Sequence, residues 1–307
     1  MQYAIGIDMG GTFIKYALIN SGGDFLHTGK VPTVVPGDST LSQLVTAIGH
    51  ALTYAQQNDL KVEGVGVGSP GVIVDGVIVG GAENIPGWEG INIEQEVRSQ
   101  FDLPVKAEND ASVMGLGEFA YGAGKDAEDV VFLTIGTGIG SAFILNGKLF
   151  SGFQNRGSEF GHTPLFSDGE ICACGATGCV ETYASTAALV RDYQKQLKLK
   201  NITPSGEVNG EYIISRYREG EPLAKEVMDK HFYYLGRSIA GLVNVFSPQL
   251  IVIGGGIAEC GAFYTERILE EVKKQALPIS CKDLKIQSAL LGNKAGSMGA
   301  AYLVFNR

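Results

Sequence analysis

Two apolar segments of this chain follow one plan: a β-branched run, a glycine turn, and a second apolar run. Tyr3–Ile7 and Phe13–Ile19 are joined through Asp8-Met9-Gly10-Gly11-Thr12, and the stretch from Val130 to Leu145 carries Gly136-Thr137-Gly138-Ile139-Gly140 at its centre. At an offset of 126 residues, Gly10 falls on Gly136 and Asn20 on Asn146, while Ile5, Ile7 and Ile19 fall on Val131, Leu133 and Leu145. Short β-branched runs flanking glycine fit strand, tight turn, strand. The recurrence predicts two domains of like architecture, each with a phosphate-sized turn, and a cleft between them. Two unrelated apolar hairpins are the plain alternative.

The rest of the chain alternates strand and helix patterns. A third strand fits Phe25–Val31, and Ser39 and Thr40 precede a helix with Leu41, Leu44, Val45, Ile48 and Leu52 at helical spacing. Val62–Val67 fits a buried strand. Asp110 is expected to cap a helix through Met114 and Phe119. Pro222 opens a long helix that Ser247-Pro248 would stop. A strand at Leu250–Ile253 precedes Gly254-Gly255-Gly256, and a last helix fits Ala295–Phe305. The fold class is α/β.

Three glycine patterns compete as nucleotide loops. A Walker A motif is absent, which excludes a P-loop enzyme. Gly66-Val67-Gly68-Ser69-Pro70-Gly71 has the form of a dinucleotide fingerprint, but that fingerprint needs a helix next. Here Val72–Val79 runs on as a β-branched hairpin pattern around Asp75-Gly76, so this match is a decoy. The third pattern is Asp8 with Gly10, Gly11 and Thr12. Gly10 and Gly11 let backbone N–H groups approach phosphate oxygens, and Thr12 adds a hydroxyl. Lys15 adds a positive charge, or faces solvent from its strand. Asp8 suits Mg²⁺ held through water. Gly136, Thr137, Gly138 and Gly140 would clamp the same phosphates from the second domain. Either loop alone is a tight turn; the pair in one chain favours phosphate.

Composition narrows the class. Of 307 residues, 45% are hydrophobic and 19% charged, as in ordinary folded domains, and the net charge of −9 opposes nucleic-acid binding. No basic leader, membrane span or like-charge block is visible, so a cytoplasmic protein with no membrane partner is expected. Among five cysteines, Cys172, Cys174 and Cys179 cluster within eight residues, ten after His162. Three thiols and an imidazole suit tetrahedral Zn²⁺, although Cys-x-Cys is tighter than common zinc knuckles; three reduced thiols beside a histidine are the alternative. Cys260 and Cys281 read as small apolar residues. His27, His50 and His231 read as surface or helix residues, and Trp88 as a packing residue.

Gly6-Ile7-Asp8-Met9-Gly10-Gly11-Thr12, Glu108-Asn109-Asp110, Gly136-Thr137-Gly138-Ile139-Gly140, Glu159-Phe160-Gly161-His162, the run Cys172–Glu181 and Gly254-Gly255-Gly256 occur in order. Together they resemble the ROK family of sugar kinases, within the actin, Hsp70 and hexokinase-like ATPases, over nearly the whole chain. The resemblance implies two actin-like (ribonuclease H-like) α/β domains flanking an interdomain cleft: 1–118 with helix 295–307 returning to it, and 119–294 carrying the cysteine loop. It implies ATP and Mg²⁺ at the glycine loops and at Gly254, Gly255 and Gly256. Asp110 would be the base that takes the proton of a hexose hydroxyl. Asn84, Asn109, Asp110, Glu159, His162 and Glu181 would bind the sugar. His162, Cys172, Cys174 and Cys179 would bind a structural Zn²⁺. A homodimer or homotetramer is implied.

Glucose phosphorylated at O6 is the first choice of substrate, because Asn84-Ile85-Pro86-Gly87-Trp88 resembles a glucokinase segment. Thr163-Pro164-Leu165 departs from the glucokinase pattern and leaves N-acetylglucosamine, N-acetylmannosamine, fructose, allose, mannose and β-glucosides open. A sugar-responsive ROK regulator is a further alternative. Such regulators carry an added helix-turn-helix, for which the phosphate motif beginning at Gly6 leaves no room.

Overall fold

The structure, a computed structural model, describes residues 1–306. The first apolar runs form β1 (Tyr3–Met9), β2 (Phe13–Asn20) and β3 (Phe25–Pro32). Helix α1 (Thr40–Gln57) follows, capped by the Ser39 side chain, which accepts from the Ser42 N–H. Next come β4 (Val62–Ser69), the hairpin β5 (Val72–Val74) and β6 (Val77–Gly80), α2 (Ile93–Gln100), β7 (Val105–Asn109) and α3 (Asp110–Tyr121). The fingerprint-like glycines therefore lead into a hairpin and not a helix, as the β-branched run requires. The second half holds β8 (Val130–Ile135), β9 (Ile139–Leu145), β10 (Lys148–Phe150), α4 (Val180–Ala184), α5 (Thr186–Leu199), α6 (Gly210–Arg218) and α7 (Pro222–Phe246). It closes with β11 (Leu250–Gly254), α8 (Ala262–Gln275), β12 (Lys285–Ser288) and α9 (Ala295–Phe305).

Two five-stranded sheets result, in orders β3-β2-β1-β4-β7 and β10-β9-β8-β11-β12. β1 runs antiparallel to β2 and parallel to β4, and β11 runs parallel to both β8 and β12. Counting only the strands of each sheet in chain order, both orders are third, second, first, fourth, fifth. The repeat seen in sequence is thus a repeat of sheet topology. The chain divides into two compact units: Met1–Asp126 with Ala142–Ser158 and the stretch from Leu290 onward, and Ala127–Ser141 with Glu159–Ala289.

In the first unit one sheet face packs Ile5, Ile7, Leu18, Val65 and Val67 against Leu44 and Ile48 of α1 and against Trp88, which is 1% exposed. The other face receives α9. That helix lies so close that a Cβ on Gly6 would sit 1.9 Å from the Ser297 carbonyl oxygen, and one on Gly66 would sit 1.7 Å from that of Ala300. Glycine in these strands marks close backbone approach. Trp88 donates its Nε1–H to Ser69 Oγ at 2.8 Å, so it is a core residue, as expected. His231 lies on α7 and is buried, with Nε2 at 2.7 Å from the Tyr264 hydroxyl. No helix among the described residues is long and apolar enough to cross a membrane.

Candidate active site and metal centre

In the first unit, β1 delivers Asp8 to the mouth of the first glycine loop. Asp8 is 5% exposed, and its Oδ2 lies 3.2 Å from Lys15 Nζ. Lys15 is therefore held to Asp8, although its side chain stays 42% exposed. The loop is shaped by its own backbone: Gly10 N–H donates to the Phe13 carbonyl, and the Thr33 hydroxyl donates to the Gly10 carbonyl. Gly11 and Thr12 are exposed. Asn84 comes close to this loop, since a Cβ on Gly11 would lie 3.4 Å from its Nδ2.

The structure corrects one expectation at the start of α3. The cap is Asn109, whose Oδ1 accepts from the N–H groups of Ala111 and Ser112, at 2.9 and 3.2 Å. Asp110 is the first helical residue, and its Oδ1 accepts from the Ala111 N–H at 2.8 Å. Asparagine caps as well as aspartate does, and with Asn109 in that role Asp110 falls one position inside the helix. Asn109 also donates Nδ2–H to the Gly71 carbonyl at 3.1 Å. Next to it, burial pushes the Glu108 carboxyl above its ordinary value, and the hydrogen bond from the Asn109 N–H opposes that rise.

In the second unit the glycine loop closes on itself: Gly136 N–H donates to the Gly138 carbonyl, and Thr186 N–H to that of Gly136, both at 2.9 Å. Glu181 seals its flank. Its Oε2 accepts from the Ile139 N–H at 2.8 Å and fills the space a side chain at position 138 would need. Gly140 lies within β9 rather than in the turn. Gly254 ends β11, and Gly255 takes φ 92°, a left-handed conformation that favours glycine. A cavity of about 470 Å³ joins Gly136 and Thr137 to Gly256 and Ile257, with Thr186, Val190 and the turn at Asn209 and Gly210 as its other walls. Its size suits a small-molecule ligand. Desolvation raises the Glu159 carboxyl; His162 opposes this and Glu181 adds to it.

The ligand atoms of His162, Cys172, Cys174 and Cys179 all lie within 4.8 Å of one another. Cys172 Sγ is 3.7 Å from His162 Nδ1, and Cys174 Sγ is 3.7 Å from Cys179 Sγ. A tetrahedron with Zn–S of about 2.3 Å has edges of about 3.8 Å, so the four residues fit Zn²⁺. Tight turns make this possible. Gly175 and Gly178 take φ 88° and 75°, and a Cβ on Gly178 would lie 1.8 Å from the Phe166 carbonyl oxygen. The cluster then leads directly through Cys179 into α4, whose second residue is Glu181.

The motifs found in sequence thus gather within each unit: Asp8, Gly10, Gly11, Thr12, Lys15 and Asn84 in the first, and Gly136, Thr137, Gly138, Glu181 and the cysteine loop in the second. Sequence reasoning missed the walls of the 470 Å³ cavity contributed by Val190, Asn209 and Ile257. They come from three separate elements, and no spacing rule links them. It also missed Glu118, a fully buried carboxylate on α3.

The ROK family model matches residues 4–307. The chain is 34% identical to a glucokinase of Streptomyces coelicolor over 99% of its own length and 98% of that protein's. It is 28% identical to a xylose repressor of Caldicellulosiruptor bescii, over 98% of this chain and 78% of the repressor. The crystal structure of a ROK family glucokinase from Streptomyces griseus, in complex with glucose and AMPPNP, superposes with a TM-score of 0.81 at 31% identity and covers 99% of this chain and 100% of that one. The duplicated sheet order, the paired glycine loops and the histidine–cysteine cluster agree with these likenesses, and the chain belongs to the ROK family, with the actin-like ATPase fold.

Proposed function

We propose that this protein is an ATP-dependent hexose kinase, with O6 of glucose as its first-choice acceptor. One observation carries the proposal most strongly. Glu181 follows the cysteine loop in sequence, and its carboxylate holds the Ile139 N–H at the end of the second glycine loop. A carboxylate of the sugar-binding set and a phosphate loop are therefore built as one piece. That explains why a zinc-type cluster and a phosphate loop occur in one chain.

The chain's residues divide the chemistry among them. N–H groups of the exposed Gly11 and Thr12, with Lys15, bind phosphate charge in the first unit, where Gly10 shapes the turn by donating to the Phe13 carbonyl, and Gly136, Thr137 and Gly138 are the phosphate loop of the second unit. Asn84, Asn109, Glu159, His162 and Glu181 are the hydrogen-bonding groups for sugar hydroxyls; Asn109 has one Nδ2–H left to give, since its Oδ1 caps α3 and its other Nδ2–H meets the Gly71 carbonyl. Asp110 orients the acceptor hydroxyl and takes its proton as the new O–P bond forms and the bond to the ADP oxygen breaks. The N-terminus of α3 favours its anionic form. The 470 Å³ cavity at Gly256 takes the nucleoside. Asp8 would hold Mg²⁺ through its waters, which supplies charge neutralisation when bound. Four protein ligands would hold Zn²⁺ with no open position, so its part is to fix the loop that carries His162 and Glu181. The reading also takes the protein as a cytoplasmic homo-oligomer, which sedimentation and cell fractionation check.

Substituting Asp110 by Asn tests the assignment. The variant is expected to fold and bind sugar while kcat falls by at least about 100-fold, the lower range for general-base catalysis. A kcat near that of the wild type would remove Asp110 from the mechanism.

A further inference from the structure

We infer that Glu118 is a positioning residue for Asp8, acting through the segment 290–296; the inference rests on the kinase reading above. Glu118 lies on α3, two turns after Asp110, and is 0% exposed. No ion-pair partner for it occurs among the described residues. A buried carboxylate needs compensation, and backbone donors can supply it. Glu118 has three. Its Oε2 accepts from Ala123 N–H at 2.9 Å and from Leu290 N–H at 3.1 Å, and its Oε1 accepts from Leu291 N–H at 2.7 Å.

These bonds fix the start of a segment whose next anchors are the Leu291 side chain, packed against the cluster of Met298 and Ala301, and the close approach of α3 to the Ala295 backbone. The Leu290 side chain is 73% exposed and offers no packing anchor. Three residues on, Asn293 Oδ1 accepts from Lys15 Nζ at 3.5 Å, and Lys15 in turn pairs with Asp8 at 3.2 Å. Three residues further, the backbone of Gly296 forms a wall against Asp8: a Cβ there would sit 2.6 Å from the Asp8 Cγ and 2.8 Å from its Oδ1. The carboxylate of Glu118 thus sets where the chain enters α9, and that entry bounds both partners of the Asp8–Lys15 pair. Glu118 itself makes no hydrogen bond to Asp8 or Lys15 among the described residues and acts on them through the backbone.

Two variants disturb the same carboxylate in different ways. Glu118→Gln keeps the shape but replaces an acceptor oxygen with a donor. Gly122→Ala places a Cβ 2.1 Å from Glu118 Oε2, which drives the carboxylate off its donors without changing its chemistry. Both are assayed with Mg-ATP and the acceptor sugar of the wild type, and sugar affinity is measured separately by calorimetry. The expected result is a rise of at least about tenfold in KM for Mg-ATP, with the sugar Kd within about twofold of the wild type. The double variant is expected to lose no more than the worse single one, as for residues acting as one unit. A wild type that forms no sugar phosphate overturns the kinase reading and this inference with it. A working wild type whose variants keep their KM for Mg-ATP overturns the inference alone. So does an equal loss of sugar and ATP affinity, or a failure of both variants to fold, because Glu118 would then serve folding only.

Discussion

Replacing Gly138 by alanine isolates the contact that joins the second glycine loop to Glu181. An ideal Cβ at this position would lie 2.2 Å from Glu181 Oε2 and 3.1 Å from its Cδ. Van der Waals contact begins near about 3.5 Å, so the carboxylate must retreat by about 1 Å. The backbone at Gly138 is outside the left-handed region, so the methyl group is the whole perturbation. The bond at risk is the one from the Ile139 N–H, 2.8 Å long. A hydrogen bond to a charged group contributes about 1.5–3 kcal/mol. At about 1.4 kcal/mol per factor of ten, its loss predicts a fall of about 10- to 100-fold in kcat/KM for the sugar. Coupled measurement of ADP formation over a range of sugar concentrations reads this directly, and a thermal melt separates it from unfolding. A folded variant whose kcat/KM stays within twofold of the wild type would show that the loop and Glu181 are not one functional piece.

Three other outcomes follow from the same geometry. Prolonged treatment with a zinc chelator should release about one Zn²⁺ per chain and lower thermal stability and sugar affinity together, and added Zn²⁺ should restore both; a metal-free protein with unchanged sugar KM would separate the cluster from the site. Burial pulls His231 down to about 4, so below pH 6.5 the unfolded chain binds a proton that the folded one refuses. Stability should fall by about 3 kcal/mol between pH 6.5 and 4, and His231→Gln should flatten that slope; an unchanged slope in denaturant titrations would place the acid sensitivity elsewhere. Gly296→Ala should abolish turnover while leaving sugar binding in place, since its Cβ would collide with the Asp8 carboxylate; near-normal ATP turnover in that variant would show that Asp8 has room to move.

Much of this molecule was legible in local pattern. The repeat of strand, glycine turn and strand pointed to two domains of like architecture, and the two sheets share one strand order; apolar runs and glycine turns are properties of short segments. Pro222 and Ala295 start their helices where expected, since proline is tolerated only in the first turn and the small apolar run from Ala295 suits a helix pressed close to a sheet. The cysteine spacing foretold a cluster that the structure closes to within 4.8 Å. What stayed hidden was long-range. Asn109 and not Asp110 caps α3, because two adjacent residues can both cap and only the local backbone decides between them. Nothing in the sequence around Glu118 marks it as buried, and its donors at Leu290 and Leu291 are more than 170 residues away. Lys15 looked like a strand residue with a choice of faces until its pairing with Asp8 fixed the choice. The identity of the sugar depends on side-chain placement of the same long-range kind.

The central claim is phosphoryl transfer to a hexose, and product analysis tests it most directly. Purified protein is incubated with Mg-ATP and each of glucose, mannose, fructose, allose, N-acetylglucosamine and N-acetylmannosamine, and ³¹P NMR follows the fate of the γ-phosphorus. The account predicts a sugar phosphate formed in step with ADP, first of all glucose 6-phosphate, and little ATP loss without sugar. Inorganic phosphate released at the same rate with or without sugar, or sugar binding with no transfer from ATP, would contradict it.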